Sequence, residues 1–200
     1  SSMFRGSAFN QSLNSWNMAS ALNLSNMFQN SSMAGDITAW NVGNVTNFSA
    51  VVKNCSTFNQ NISGWNVSSG TNFLQTFNNC SGFNQPIGSW NMSNATNLQE
   101  IVEGAGSFNQ DCGAWVLSSA VNLNSAFRNT AMSAANVSAT IIGWEANTPA
   151  PGVSATNCFG NITMSEATYA AAKTAYDSLI LAVGSGGYGW NLTGAINWVP

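Results

Sequence analysis

Tryptophan recurs at Trp16, Trp40, Trp65, Trp90 and Trp115, at intervals of 24, 25, 25 and 25 residues. A beat this regular restricts the fold more than any local propensity does. A unit of about 25 residues cannot close a core alone and gains one only by lying against its neighbours. Other columns keep the same time. Phe9, Met33, Phe58, Phe83, Phe108 and Met132 form one, and Leu13, Ile37, Ile62, Ile87 and Cys112 form another. A polar column runs Asn23, Asn47, Asn72, Asn97 and Asn122, each followed by Leu or Phe.

The periodicity changes within a unit. In TNFLQTFNNC (residues 71–80) the apolar Phe73, Phe77 and Cys80 fall at i, i+4 and i+7, the stripe of a short helix. Thr71 and Asn72 stand where an N-cap oxygen belongs. In FNQNISGWNV (residues 58–67) the spacing of Phe58, Ile62, Trp65 and Val67 suits a short extended segment entered and left by turns. One short strand and one short helix per unit, stacked about 4.8 Å apart, predict a solenoid of the α/β class. Trp then lies near Trp and Ile on Ile.

The beat predicts repeats over residues 1–145. It fails after Ala131, since Trp144 follows Trp115 by 29 residues, and this stretch reads as a final, degenerate coil. Residues 146–200 read as a connection and capping segment. ANTPAPGVSATN (146–157) has turn composition. In 164–183 Ser165 is the expected N-cap of a helix with Tyr169, Ala172, Tyr176, Leu179 and Ile180 on one face. The chain opens in the helical half of a unit with no polar cap before residue 1, which reads as a fragment or as an end covered by another chain.

Charged residues are only 6% of the sequence, so Asn, Ser, Thr, Gln and Gly must supply the polar surface. A net charge of −3 with four basic residues removes the footing for nucleic-acid binding. No run is apolar enough for membrane insertion. With no histidine the usual general base and metal ligand are missing. Glu100 and Glu103 are adjacent at i, i+3 but read as a solvated edge, since glycosidic chemistry needs facing carboxylates. Asp36 and Asp111 lie three units apart. No enzyme activity, cofactor or metal site is expected.

Two columns admit a second meaning. The Asn column reads as an internal ladder of amides satisfying turn groups, against direct ligand contact. The Trp column reads as core, against a platform for sugar stacking. Cys55 and Cys80 share a column in adjacent units, and the alternatives are a disulfide or a pair of buried thiols.

Written as FNQxIxxWNV…VTNF…FxNC, the units resemble the BspA-like family of leucine-rich-repeat surface proteins. The likeness spans roughly residues 1–145 and is best over 54–110. The tail, with its Ala-rich helix and Gly189-Trp190, is also similar to the family's ending. The sequence departs at Met33-Ala34-Gly35, at Cys112 and at Val116. The resemblance implies a leucine-rich-repeat-like fold and a non-enzymatic adhesion module, secreted or at a cell or virion surface. Its partners would be a glycan, a protein on another surface, or copies of itself. The alternative is a structural building block of a fibre, filament or surface layer.

Overall fold

The computed structural model describes residues 2–118, 121–181 and 183–200. The ladder residues pair in parallel, one isolated bridge per unit: Asn23 with Asn47, then Asn72, Asn97 and Asn122. Successive units therefore lie one on another as tiers. Their secondary structure differs from the short strand and short helix expected. Among the described residues before Ser133 there is no helix and no strand longer than a single bridge.

The reason lies in where the backbone N–H groups go. After each ladder Asn, every second N–H leaves its tier. Those of Leu24, Asn26, Phe28 and Asn30 donate to the carbonyls of Asn47, Ser49, Val51 and Lys53 in the next tier, at 2.8–2.9 Å. Phe73, Gln75, Phe77 and Asn79 do the same to Asn97, Gln99, Ile101 and Glu103. The N–H groups between them close turns at home, Met27 on Leu24, Gln29 on Asn26 and Ser31 on Phe28. A helix would claim all of these donors for itself.

Left-handed residues enforce the alternation. Asn26, Ala50, Gln75, Glu100 and Ser125 form one column of positive φ, and Asn30, Asn54, Asn79, Gly104 and Asn129 a second. Asn tolerates this region, but for Ala50, Gln75 and Glu100 it costs roughly 1–2 kcal/mol each, which the bonds between tiers offset. At Gly104 the reason is also steric, because a Cβ there would lie 2.2 Å from Asn79 Oδ1. The i, i+4, i+7 stripe of Phe73, Phe77 and Cys80 is thus the product of consecutive turns, and all three residues are buried.

The core is a set of aromatic files running along the stack. Phe58, Phe83 and Phe108 are spaced 6.0 Å ring to ring, Phe48 and Phe73 5.0 Å, and Trp40 lies nearly parallel to Trp65 at 6.2 Å. Each buried Phe contributes about 1.5–3 kcal/mol, so the files carry much of the stability.

In the final third the unit changes form. Helix α1 (Ala134–Ala146) occupies the place of the extended half-unit. Ser133 caps it, its Oγ accepting from the N–H of Asn136. Val137, Thr140, Ile141 and Trp144 are its buried face. The helix lies close to the fifth tier because Gly143 meets Gly113 backbone to backbone, where an added Cβ would stand 2.5 Å from the Gly113 carbonyl oxygen. The four extra residues before Trp144 are those a helix needs to cover the same span, its rise being only ~1.5 Å per residue.

Beyond α1 the ladder resumes. Asn122 pairs with Ser154 and Ser154 with Asn191, so two more tiers' worth of turns lie inside 146–200. Leu123, Ser125 and Phe127 donate to Ser154, Thr156 and Cys158, and Ala155 and Asn157 donate to Asn191 and Thr193. Strands β1 (Ile162–Ser165) and β2 (Ile196–Val199) pair in parallel between these two tiers. Helix α2 (Ala170–Ile180) starts later than expected. Ser165 ends β1, and Tyr169 precedes the helix without a side-chain cap. Ala172, Ala175 and Leu179 are buried, Tyr169 and Tyr176 half-buried, and Ile180 is exposed.

Candidate functional site

The structure turns the Trp column inward and keeps the Asn column at the half-buried edge, its side-chain oxygens spent on local turns. The indole N–H groups of Trp40, Trp65, Trp90 and Trp115 donate to the carbonyls of Leu13, Ile37, Ile62 and Ile87, one tier back. All four rings are buried, whereas Trp16 in the first tier is 37% exposed. Trp144 continues the row from α1 by donating to Cys112. The ladder amides close Asx turns. Oδ1 of Asn23, Asn47, Asn72, Asn97 and Asn122 accepts from the N–H of Ser25, Ser49, Leu74, Gln99 and Asn124. Asn191 does the same with Thr193.

Cys55, Cys80, Cys112 and Cys158 are free thiols and all are buried. The thiols of Cys55 and Cys80 point at the carbonyls of Phe28 and Val52, each at 2.8 Å. Burial pushes all four thiols up in pKa. Among the described residues no three His, Cys, Asp or Glu side chains converge on a possible metal site.

Charge gathers on the turn-rich face. Lys53 Nζ donates to Gln75 Oε1, and Gln75 Nε2 to Glu100 Oε2 at 2.6 Å. Gln99 binds the other Glu100 oxygen, and Asn78 donates to Glu103 Oε2. Arg128 forms an ion pair with Glu103. The network crosses four tiers and takes four of the eleven charged residues in the sequence. For Glu100, burial pushes the pKa up, but hydrogen bonds from Gln75 and Gln99 and the Lys53 charge outweigh it, and the net shift is downward. The two carboxylates share the Asn78 amide, and Glu103 is buried, so the pair belongs to a held network and not to the solvated edge expected. Asp36 and Asp111 serve locally: Asp36 accepts from the Thr38 N–H and hydroxyl, which lowers its pKa, and Asp111 from the Gly113 N–H.

A second face is built from residues to which the sequence reading gave no role. Asn59 Oδ1 accepts from the Asn84 N–H and from Gln85 Nε2 at 2.8 Å. Asn84 Oδ1 accepts likewise from the Asn109 N–H and Gln110 Nε2. Asn109 Oδ1 takes the Ser133 N–H and Asn136 Nδ2, which ties the row to α1. This amide ladder runs from exposed Asn59 and Asn84 to half-buried Asn109. On each Asn of the row the NH₂ group makes no bond within the described residues, nor does the Oε1 of Gln85 or Gln110. The result is a file of donors and acceptors at tier spacing, fixed on one side and free on the other. The signal was present in the recurring Asn-Gln pair after the Phe column.

Threonine also recurs with the 25-residue period. Thr46, Thr71 and Thr96 are exposed, but their hydroxyls donate back to the carbonyls of Leu22, Thr46 and Thr71.

The sequence matches the family described as Mycoplasma protein of unknown function, DUF285, over residues 1–34 and 23–140. No curated protein and no solved structure matches the chain.

Proposed function

The chain belongs to the DUF285 family, and from that footing we propose that it is a non-enzymatic recognition module of the BspA-like type, a leucine-rich-repeat-like solenoid displayed outside the cell or on a surface. Its partner is a glycan or a protein on another surface. The observation that carries this reading is the amide ladder of Asn59, Asn84 and Asn109 with Gln85 and Gln110. Its carboxamides are held from behind by tier-to-tier bonds and keep unspent donors and acceptors in front.

Such a face binds with little loss of side-chain freedom, because its groups are already ordered. Nearly neutral, it depends on short-range hydrogen bonds rather than on long-range attraction. Asp36, Asp111, Glu100 and Glu103 favour no catalytic reading, since amides, a cation or their own turns engage them.

Binding of the full chain to an array of glycans and to intact cells, at 50 mM and 500 mM salt, tests the reading. Binding that survives high salt and falls when Asn84→Ala and Gln85→Ala are combined supports it. Binding to neither array nor cells, or binding lost with salt but indifferent to the pair, would sink it.

A further inference from the structure

One row of backbone bonds ends without a partner. The N–H of Gly6 donates to Gln29, Asn30 to Lys53, Asn54 to Asn78, Asn79 to Glu103 and Gly104 to Arg128. The peptide that carries the Arg128 carbonyl also carries the Asn129 N–H, next in the row. That N–H has no acceptor within the described residues, although the three bonds beside it, from Leu123, Ser125 and Phe127, are made. The chain turns away at Gly160 and Asn161, both left-handed. Six peptide units thus point the same way, each polarising the next, and their positive end is the Asn129 N–H.

Asn129 and the Gly160 beside its backbone nitrogen both line a half-open hollow of about 240 Å³. Phe127, Phe159, Met132, Val137 and Ile162 give it an apolar floor, and Asn129 and Thr130 a polar lip. The Asn129 side-chain amide is exposed and makes no bond within the described residues. The hollow exists because the repeat changes here: Met132 stands in the Phe column, and α1 and β1 replace the next full tier. It also lies where the amide ladder ends, since Asn136, bonded to Asn109, is the neighbour of Val137 in α1.

We propose that this hollow binds the acetamido group and ring edge of one N-acetylated sugar unit, with the acetyl oxygen on the Asn129 N–H and the methyl on the aromatic floor. The inference rests on the recognition reading above and deepens it by naming the ligand class. Three features select that chemistry. The unpaired backbone donor, with the Asn129 side-chain amide beside it, asks for an oxygen acceptor. The floor asks for an apolar group beside that acceptor. The volume, below the ~300–1,000 Å³ usual for drug-sized ligands, admits one such unit. Further units of the same glycan would run out along the amide ladder.

The test is a titration of the ¹⁵N- and methyl-labelled full chain with chitotriose, with cellotriose and acetate as comparison probes. Expected are saturable shifts of the Asn129 amide together with the Met132, Val137 and Ile162 methyls, with chitotriose at least about tenfold tighter than cellotriose. Ile162→Trp, which fills the hollow, should abolish them. Asn129→Gly, which keeps the N–H and suits the left-handed backbone, should retain the methyl shifts. If Ile162→Trp unfolds the chain, the pattern of shifts in the unaltered protein decides. Shifts confined to Asn84 and Asn109, equal response to cellotriose, response to acetate alone, or no response overturn the hollow. None of these touches the recognition reading unless binding to cells and arrays fails as well.

Discussion

Trp90 shows how little of a conspicuous side chain is left for a ligand. Its ring is buried and its one polar group is spent on the Ile62 carbonyl. Trp90→Phe keeps most of the apolar area and leaves that carbonyl with the Trp65 N–H as its one remaining donor. A loss of about 0.5–1.5 kcal/mol is expected from a denaturant titration, and a loss within error would show that the bond contributes nothing. The thiols make a sharper case. Their folded pKa values lie above the ordinary 9.0, so the stability they confer is present below pH 9 and is lost as pH rises towards the folded values. Native chain should resist iodoacetamide at pH 8 and react at all four positions once unfolded, and its melting temperature should fall from about pH 9 upward. Glu100 acts with the opposite sign. Its pKa is lowered, so its contribution is present above the ordinary 4.5 and fades as pH falls below it. Glu100→Gln should flatten the acid limb of the stability profile, which melting curves between pH 3 and 6 would detect.

At the scale of elements, the columns were legible and the backbone between them was not. Spacing alone locates Trp40 over Trp65 and identifies the Asn ladder, because burial and bridging repeat with the period. The stripe Phe73, Phe77, Cys80 has helical spacing yet belongs to a run of turns. The competing fact, positive φ at Gln75 and Asn79, has no mark in residue type beyond the recurring Asn. Helix α1 was missed for the converse reason: Trp144 reads as a late member of its column, while Ser133 followed by Val137, Ile141 and Trp144 at i, i+4 and i+7 is the helical signal. The pairing of Asn191-Leu192 with the earlier Asn-Leu steps is hidden by the 36 residues between Ser154 and Asn191, into which α2 is inserted. Packing of α1 makes its own prediction. Gly143→Leu sets a side chain against the Gly113 backbone, where even a Cβ lies at 2.5 Å, and should cost several kcal/mol. An exposed residue of the same helix, Ala146→Gln, should cost less than about 0.5 kcal/mol. Equal effects would show that the close approach is not a constraint.

For the whole molecule, the bonds between tiers decide where stability resides. The amides of Phe48 to Asn54 and Phe73 to Asn79 are bonded in both directions through the stack, while those of the first tier and of 183–191 have neighbours on one side. Hydrogen exchange should therefore be slowest in the tiers from Asn47 to Asn122 and faster towards both ends, and uniform protection would argue against a stack held by nearest neighbours. Ending the chain at residue 147 removes the carbonyls of Ser154, Thr156 and Cys158 and uncovers Phe127, so this cut should lower the melting temperature and speed exchange in the fifth tier. Because the four bonds between Leu24–Asn30 and Asn47–Lys53 are reproduced between Phe73–Asn79 and Asn97–Glu103, a tier's upper and lower surfaces fit any of its siblings. A gene that duplicated or dropped a 75-nucleotide block would therefore still encode matching joints, so such a stack can change length by whole steps without needing a new kind of contact.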